Sequence, residues 1–366
     1  MMTSRLGDIA ELINGDRGKN YPSQNDISNI GEVAFVNAGH LVDGKISFED
    51  INYITREKYE KLGSGKFRQG DILYCLRGSL GKKALVDKAV EGAVASSLVI
   101  IRVDKNCVLG EYMMFVLDSP VIMEQMNKAN NGSSQPNLSA ASVKDFRFRV
   151  PELGEQREIV EKLTKVKGII NSRKKELEEL DTLIKSRFVE MFGDPIKNTQ
   201  NRRTTNFIDV VKMQRGFDLP VQDRQQDGDI PVFGSNGALD HHNVAKVYGG
   251  GIITGRSGTI GKVYYTEGDY WPLNTSLFSV DTHGNNIVYL AYLLQMYDLS
   301  RFTEGTGVPT LNRNKFHNEL IIDVTLSEQE TFASFVKQVH KLKSEVQKSL
   351  NETQILFDSL MQEYFG

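Results

Sequence analysis

Apolar residues recur every three to four positions in two long segments whose remaining positions are largely charged or polar. The first segment runs from about residue 155 to 192 and has the apolar series Ile159, Leu163, Val166, Ile170, Leu177, Leu180 and Ile184. The second runs to the last residues and has the series Phe332, Val336, Val339, Leu342, Val346, Leu350, Leu356 and Leu360. This spacing places apolar side chains on one helical face. It predicts two long amphipathic helices that pack on each other, as an antiparallel coiled coil if the molecule is pseudo-twofold.

The flanking residues indicate where these helices begin and end. Gly193, followed by Pro195, predicts the end of the first helix, because glycine adopts the left-handed C-terminal conformation and proline cannot continue a helix. Ser327, with Glu330 three residues later, predicts a capping box at the start of the second helix.

The remaining regions contain short β-prone runs, short helical patterns and many glycines, which indicates compact α+β domains. The expected division is a globular domain at 1–150, a helix at 151–193, a polar linker at 194–206, a second globular domain at 207–323 and a second helix at 324–366. The predicted fold class is therefore α+β, with two mixed globular domains joined by two long helices.

The chain also contains an internal repeat, in which a set of short motifs occurs twice. The sequences Gln135-Pro136-Asn137-Leu138, Glu155-Gln156 and Met191-Phe192-Gly193 recur as Val308-Pro309-Thr310-Leu311, Glu328-Gln329 and Tyr364-Phe365-Gly366, always 173 positions later. Upstream, the loop from Arg77 to Lys82 corresponds to that from Arg256 to Lys262, and the offset drifts to 180. Constant spacing in the helices and variable spacing in the globular domains predict a pseudo-twofold molecule whose two domains differ in detail.

Composition narrows the class of protein without changing this picture. The 366 residues carry a net charge of −3, and 25% of them are charged, which is typical of a soluble protein of two or three domains. The two cysteines, Cys75 and Cys107, form no metal-binding or disulfide pattern. The N-terminus lacks the apolar run of a signal peptide, and no apolar stretch has membrane-spanning length. We expect a cytoplasmic protein.

Catalytic motifs are absent from the sequence. Gly255 and Gly261 are separated by five residues instead of the four of a phosphate-binding loop, and Val263 stands where a magnesium ligand belongs. His241 and His242 lack a third metal ligand at useful spacing, which favours a solvated loop. We expect a non-catalytic chain that holds neither a metal nor a cofactor.

Polar and basic side chains accompany the glycine-rich turns of both domains. Asparagine and glutamine bond to adenine, and arginine to guanine, in the major groove, whereas a turn requires glycine for backbone geometry alone. Both interpretations of the glycines remain open. The candidate DNA-binding residues are Arg17, Lys19, Arg77, Ser79, Lys82, Lys83, Ser97, Asn131, Ser133, Gln135, Arg215, Asn236, Arg256, Ser257, Lys262, Thr306 and Arg313.

The order of these elements, with the segment from Phe188 to Pro195 closing the first helix, resembles the specificity subunit of type I restriction-modification systems over the whole chain. The Leu-Pro-Pro-Leu element that this family carries before Glu-Gln is represented here by Val150-Pro151-Glu152-Leu153 and Asp323-Val324-Thr325-Leu326.

The resemblance implies two target-recognition domains, each reading one half of an asymmetric bipartite DNA target. It further implies that the helices hold the domains apart and dock two copies of a modification subunit, which uses S-adenosylmethionine to methylate adenine on N6. ATP and Mg would belong to a restriction subunit, where one is present. The alternatives are an interaction scaffold whose globular domains bind a ligand other than DNA, and an enzyme with an unrecognised site.

Overall fold

The computed structural model describes residues 3–130, 136–305 and 309–366, and the chain divides into two compact units. Unit 1 comprises Met1–Ser172 and Leu350–Gly366, and unit 2 comprises Arg173–Ser349. The division expected from the sequence separates globular domains from helices. The structure instead groups each globular domain with the start of one long helix and the end of the other.

Unit 1 begins with the chain and contains twelve of the strands described. Its strands are β1 (Thr3–Arg5), β2 (Ala10–Asn14), β3 (Val33–Val36), β4 (Leu41–Val42), β5 (Lys45–Ile46), β6 (Asn52–Ile54), β7 (Lys66–Phe67), β8 (Ile72–Cys75), β9 (Lys83–Leu85), β10 (Gly92–Val94), β11 (Leu98–Val103) and β12 (Arg147–Arg149). Its helices are α1 (Leu6–Ile9), α2 (Arg56–Lys61), α3 (Gly110–Val116), α4 (Pro120–Ala129), α5 (Ala140–Lys144) and the first part of α6 (Leu153–Phe192).

Unit 2 follows the same plan in a shorter globular domain. Its strands are β13 (Thr204–Asn206), β14 (Lys212–Arg215), β15 (Ile230–Gly234), β16 (Gly237–His242), β17 (Gly251–Gly255), β18 (Val263–Thr266), β19 (Trp271–Pro272), β20 (Ser276–Asp281), β21 (Thr303–Glu304), β22 (Thr310–Leu311) and β23 (Leu320–Ile322). Its helices are α7 (Phe207–Val210), α8 (Ile287–Tyr297), α9 (Arg313–His317) and most of α10 (Leu326–Phe365).

The two units share a sheet topology. The antiparallel strand order β2-β11-β8-β9 in unit 1 matches β14-β20-β17-β18 in unit 2. A parallel pair, β3 with β10, matches β15 with β19, and the antiparallel pair β1 with β12 matches β13 with β23. The repeat found in the sequence is therefore a repeat of topology, even where the loop lengths differ.

Each long helix has, in its first turn, a buried glutamine that bonds the helix to the globular domain. In unit 1 the side chain of Gln156 accepts a hydrogen bond from Leu109 N at 2.9 Å and donates to the carbonyls of Cys107 and Pro151 at 2.9 and 2.8 Å. In unit 2 Gln329 accepts from Asn286 N at 2.9 Å and donates to Val324 O at 2.9 Å and to Asn285 Oδ1 at 2.7 Å. The repeated Glu-Gln pair is thus a joint between helix and domain.

The ends of the long helices are also fixed by a repeated residue. Phe192, at the end of α6, packs against Tyr289 of α8 with ring centroids 5.2 Å apart. Phe365, at the end of α10, packs against Tyr112 of α3 at 5.4 Å. The predicted stop is confirmed, since α6 ends at Phe192 and Gly193 has a φ of 77°. Each globular domain is therefore completed by the end of the other half's helix.

Within unit 2 the two helices run antiparallel. Lys343 Nζ donates to Asp181 at 2.5 Å, and the Phe188 and Phe332 rings lie 5.5 Å apart. Residues later in α6 therefore contact residues earlier in α10. In unit 1, Ile159 of α6 shares a hydrophobic cluster with the last turns of α10.

The residues predicted to pair the helices separate into three groups. Those that are buried are Ile159, Leu163, Ile170, Ile184, Phe332, Val336, Val339, Val346 and Leu350. Those that are half-buried are Val166, Leu177, Leu180 and Leu360.

Leu342 and Leu356 form the third group and depart from the prediction, because they are 50% and 51% exposed. Their successors take the packed positions: Lys343 pairs with Asp181, and the Phe357 ring lies 6.5 Å from Phe115. The apolar repeat assumed from the sequence does not match the 3.6 residues per turn of a straight helix, so the assumed positions rotate around the helix. This mismatch explains the shift by one residue.

Two boundary predictions are wrong. The capping box lies two residues earlier than expected, because Thr325 and Glu328 bond to each other's backbone amides at 3.2 and 3.5 Å, and Ser327 is already inside the helix. The segment 204–206, assigned to the linker, forms β13. The preceding turn is ordered by Arg202, which donates to Met191 O at 2.5 Å and to Glu328 Oε1 at 2.9 Å.

Candidate nucleic-acid interface

In unit 1 three sequence-distant segments meet at one loop cluster. Arg77 and Asn137 form an isolated antiparallel bridge, supported by bonds from Gly78 N to Pro136 O at 3.0 Å and from Leu138 N to Leu76 O at 2.8 Å. Leu76 N also donates to Ser97 O at 2.9 Å. The loop that follows β8, the turn before α5 and the turn before β11 therefore form one surface, which we call loop cluster 1.

Unit 2 repeats this arrangement with different side chains. Ser257 and Thr310 form the equivalent bridge, and Leu311 N donates to Arg256 O at 2.8 Å. Arg256 N and Ser257 N both donate to Thr275 O, at 2.9 and 3.1 Å. We call this surface loop cluster 2. The two motif pairs that the sequence repeats are thus brought together by the fold in both units.

The glycines of these loops are required by the backbone. Gly78 and Gly81 have φ values of 77° and 76°, and their counterparts Gly258 and Gly261 have φ values of 82° and 79°. Side chains other than glycine rarely adopt this left-handed conformation. Turn geometry accounts for the glycines, and DNA contact stays a prediction for the side chains beside them.

A further arginine lies beside each cluster. Arg17 donates to Ser96 O at 3.2 Å, and Arg215 donates to Asn274 O at 3.4 Å. The loop that carries Arg17 is organised by Asp16, whose carboxylate accepts from Gly18 N at 2.6 Å and Gly63 N at 2.7 Å. These backbone bonds, that of Gly18 above all, lower the pKa of Asp16. Sequence reasoning missed Asp16.

Other candidate side chains also lie at the clusters or near them. Lys262 donates to Asn236 Oδ1 at 3.3 Å, so these two predicted residues are brought together. Ser79 and Lys19 are exposed, whereas Ser97 and Arg313 are half-buried.

Lys83 lies in a different setting from the other candidates. Its side chain is only 7% exposed and its ammonium forms an ion pair with Asp118. Four candidates, Asn131, Ser133, Gln135 and Thr306, lie outside the described residues.

The basic candidates other than Lys83 share one property, which other described residues such as Lys167 and Lys246 also have: they form no ion pair with a described residue. Within the described residues, ion pairs occur on many surface lysines and arginines, but none includes a member of the following set. The set comprises Arg17, Lys19, Arg77, Lys82, Arg215, Arg256, Lys262 and Arg313. Both clusters therefore carry positive charge that no carboxylate of the described chain neutralises, although the net charge of the chain is −3.

Lys246 is a basic residue that sequence reasoning did not single out. It is exposed, and its ammonium lies 5.7 Å from the centre of the Phe217 ring and 5.1 Å from that of Trp271. Phe217 belongs to the loop that follows Arg215 and accepts a bond from Asn274 N at 2.9 Å. No spacing in the sequence connects these residues, because they come from three separate strands and loops.

The possible metal site at His241 and His242 has a structural explanation. Asp240, beside His241 and His242, pairs with Arg224 at 3.4 Å, and the His242 ring packs edge-on against Trp271 at 5.3 Å. In the described part of the chain no group of three or more His, Cys, Asp and Glu side chains is placed to hold a metal ion.

No described helix combines the length and apolar character that a membrane-spanning segment needs.

Comparison with known proteins connects this geometry to a family. The family model described as "Type I restriction modification DNA specificity domain" matches residues 1–182 and 203–353, which is most of the chain. The two matches correspond to the two halves of the internal repeat. This confirms the resemblance predicted from the sequence.

Curated relatives share limited identity with the chain. The type I restriction enzyme EcoBI specificity subunit of Escherichia coli is 21% identical over 37% of this chain and 28% of its own length. The MjaIX specificity subunit of Methanocaldococcus jannaschii is 24% identical over 40% of this chain and 34% of its own length. The matched segment thus spans only about a third of these relatives.

Solved structures match over nearly the full chain. The S subunit of a type I restriction-modification system from M. genitalium has a TM-score of 0.62 at 14% identity and covers 100% of this chain and 96% of its own. A chain from a study of complex assembly and conformational transition of the type I R-M system has a TM-score of 0.63 at 17% identity, with 99% and 97% covered. This likeness confirms the predicted fold class.

Proposed function

The chain belongs to the family of type I restriction-modification DNA specificity domains, and from this premise we propose that it selects DNA sequence without performing chemistry itself. Each unit reads one half of a bipartite target. The observation that carries this proposal is the pair of loop clusters, where repeated motifs meet and arginine and lysine side chains lack carboxylate partners.

The two halves of the target differ in sequence. Loop cluster 1 presents the exposed Arg77 at the bridging position where loop cluster 2 has Ser257. Arginine bonds bidentately to guanine, whereas serine is less selective. Clusters with different donors and acceptors favour different bases, so the target is asymmetric.

The long helices dock the modification subunit. Several large apolar side chains on α6 and α10 are exposed, and they offer apolar surface to a protein partner. The most exposed of them are Leu326 (49%), Ile169 (48%), Leu183 (45%), Leu342 (50%), Ile355 (69%) and Leu356 (51%). We assign these positions to two copies of an adenine-N6 methyltransferase subunit, which brings its own S-adenosylmethionine. ATP and Mg belong to a restriction subunit, where one joins the assembly.

Selection of bound sequences from a random duplex library tests DNA recognition directly. The purified chain, alone and with its modification subunit, is expected to enrich two short unlike motifs at a fixed separation. Affinity for nonspecific duplex should fall steeply with salt, because phosphate contacts release counterions. Enrichment of no motif, together with an affinity that does not depend on salt, contradicts the proposal and favours the interaction scaffold.

A further inference from the structure

Unit 1 contains a cavity of about 390 Å³ beside loop cluster 1. It lies between the β4–β5 hairpin, the turn before β9, helix α3 and the first part of α6, which contribute Gly44, Lys82, Phe115 and Lys167 to its lining. Small-ligand sites typically have volumes of about 300 to 1,000 Å³. The cavity is thus large enough for a small organic molecule.

Three lysines line this cavity, and only one of them is neutralised. The buried Lys83 pairs with Asp118 at the cavity wall. Among the ion pairs of residues 3–130, 136–305 and 309–366, none includes Lys82 or Lys167. The Lys167 ammonium lies 5.8 Å from the centre of the Phe115 ring. Burial lowers the pKa of Lys83, Asp118 opposes this change, and the charge of Lys167 adds to it. Asp43 also lines the cavity, so the three lysines and two aspartates of the lining leave a net charge of +1 around the open space.

The equivalent place in unit 2 is organised differently. The constant offset of 173 along the helices makes His340 the counterpart of Lys167, and the paired contacts of α3 and α8 make Tyr292 the counterpart of Phe115. Both ring nitrogens of His340 are occupied, by Tyr265 Oη at 3.3 Å and Tyr292 Oη at 3.0 Å. Val263 stands where unit 1 has Lys83. In unit 2 the side chains at this position form hydrogen bonds with one another, whereas in unit 1 the lysines line a cavity.

We propose that the cavity of unit 1 binds the phosphate group of a small molecule, of the size of a nucleoside monophosphate, through Lys82 and Lys167. Phosphate oxygens form charge-assisted hydrogen bonds to ammonium groups, and the Phe115 and Met114 side chains supply an apolar wall for the rest of the molecule. Lys83 with Asp118 fixes the floor of the site. Lys82 is also a DNA-binding candidate of loop cluster 1, whereas Lys167 is not, so the test uses a variant of Lys167.

Isothermal titration calorimetry of the full chain tests the site with inorganic phosphate, adenosine monophosphate and adenosine. Both phosphates should bind and adenosine should not. Lys167→Gln should weaken binding about tenfold or more, since it removes one charge-assisted contact. The matched control is Lys165→Gln, which changes an exposed lysine of the same helix that pairs with Glu161, and it should bind like the parent chain.

The same variants separate the two sources of a phosphate group. If adenosine monophosphate binds and Lys167→Gln leaves the affinity for nonspecific duplex DNA unchanged, the small-molecule site is supported. If neither phosphate binds but Lys167→Gln weakens duplex binding and lowers its salt dependence, the phosphate belongs to the DNA backbone and the small-molecule proposal is overturned. Equal binding by Lys167→Gln and the parent chain also overturns it.

Discussion

Replacing Gln156 by methionine tests the joint between helix and globular domain most sharply. Methionine has nearly the same length and volume, so packing is retained while all three hydrogen bonds of this fully buried side chain are lost. A buried polar group left unpaired costs about 1–3 kcal/mol. One amide and two carbonyls lose a partner, and solvent reaches some of them after relaxation. We therefore expect the free energy of unfolding to fall by about 3 kcal/mol.

Urea unfolding gives this free energy, and native-state hydrogen exchange locates the loss. The amide of Leu109, which donates to Gln156, should exchange faster than in the parent chain. Gln338→Met, on the exposed face of α10, is the matched control and should change stability by less than about 0.5 kcal/mol. If Gln156→Met behaves like this control, the joint does not hold the helix and the reasoning is refuted.

Three further perturbations follow from the structure. Arg77→Ala and Arg256→Ala should each weaken binding to one half-site by about 1–3 kcal/mol if they read bases, and an equal loss on all sequences in a binding assay would mean phosphate contacts. Phe365→Ala should lower stability by about 3–5 kcal/mol, because it empties a packed site against α3, whereas Leu356→Ala should cost far less in the same urea titration. Burial lowers the pKa of His340, so the folded state resists protonation. The free energy of unfolding should therefore be constant above about pH 6.5 and decrease as the pH falls below it. His340→Gln should make this decrease with acidification smaller.

The sequence predicted the architecture because its strongest signals are long-range and periodic. Apolar spacing specified both long helices, and the constant offset specified their equivalence. The Glu-Gln repeat was visible, but its role was not, since glutamine at the start of a helix normally faces solvent. Only the fold shows that Gln329 reaches the amide of Asn286 and the carbonyl of Val324.

The remaining errors have local causes. Leu342 and Leu356 were placed on the packed face because a stripe was extended over ten turns, where small angular errors accumulate. The sequence indicated the candidate residues of the loop clusters but not that their loops are adjacent. The bridged segments lie some 50 to 60 residues apart in the chain and meet only through backbone bridges such as Arg77 with Asn137.

The most direct test of bipartite recognition is a genome-wide map of N6-methyladenine in cells that carry this chain and its modification subunit. We expect one asymmetric bipartite motif, which disappears when the gene is deleted. Exchanging residues 207–323 for those of another family member should change one half of the motif and leave the other half intact. A methylation map that deletion leaves unchanged, or a motif whose two halves both change on exchange, would contradict the assignment of one half-site to each unit.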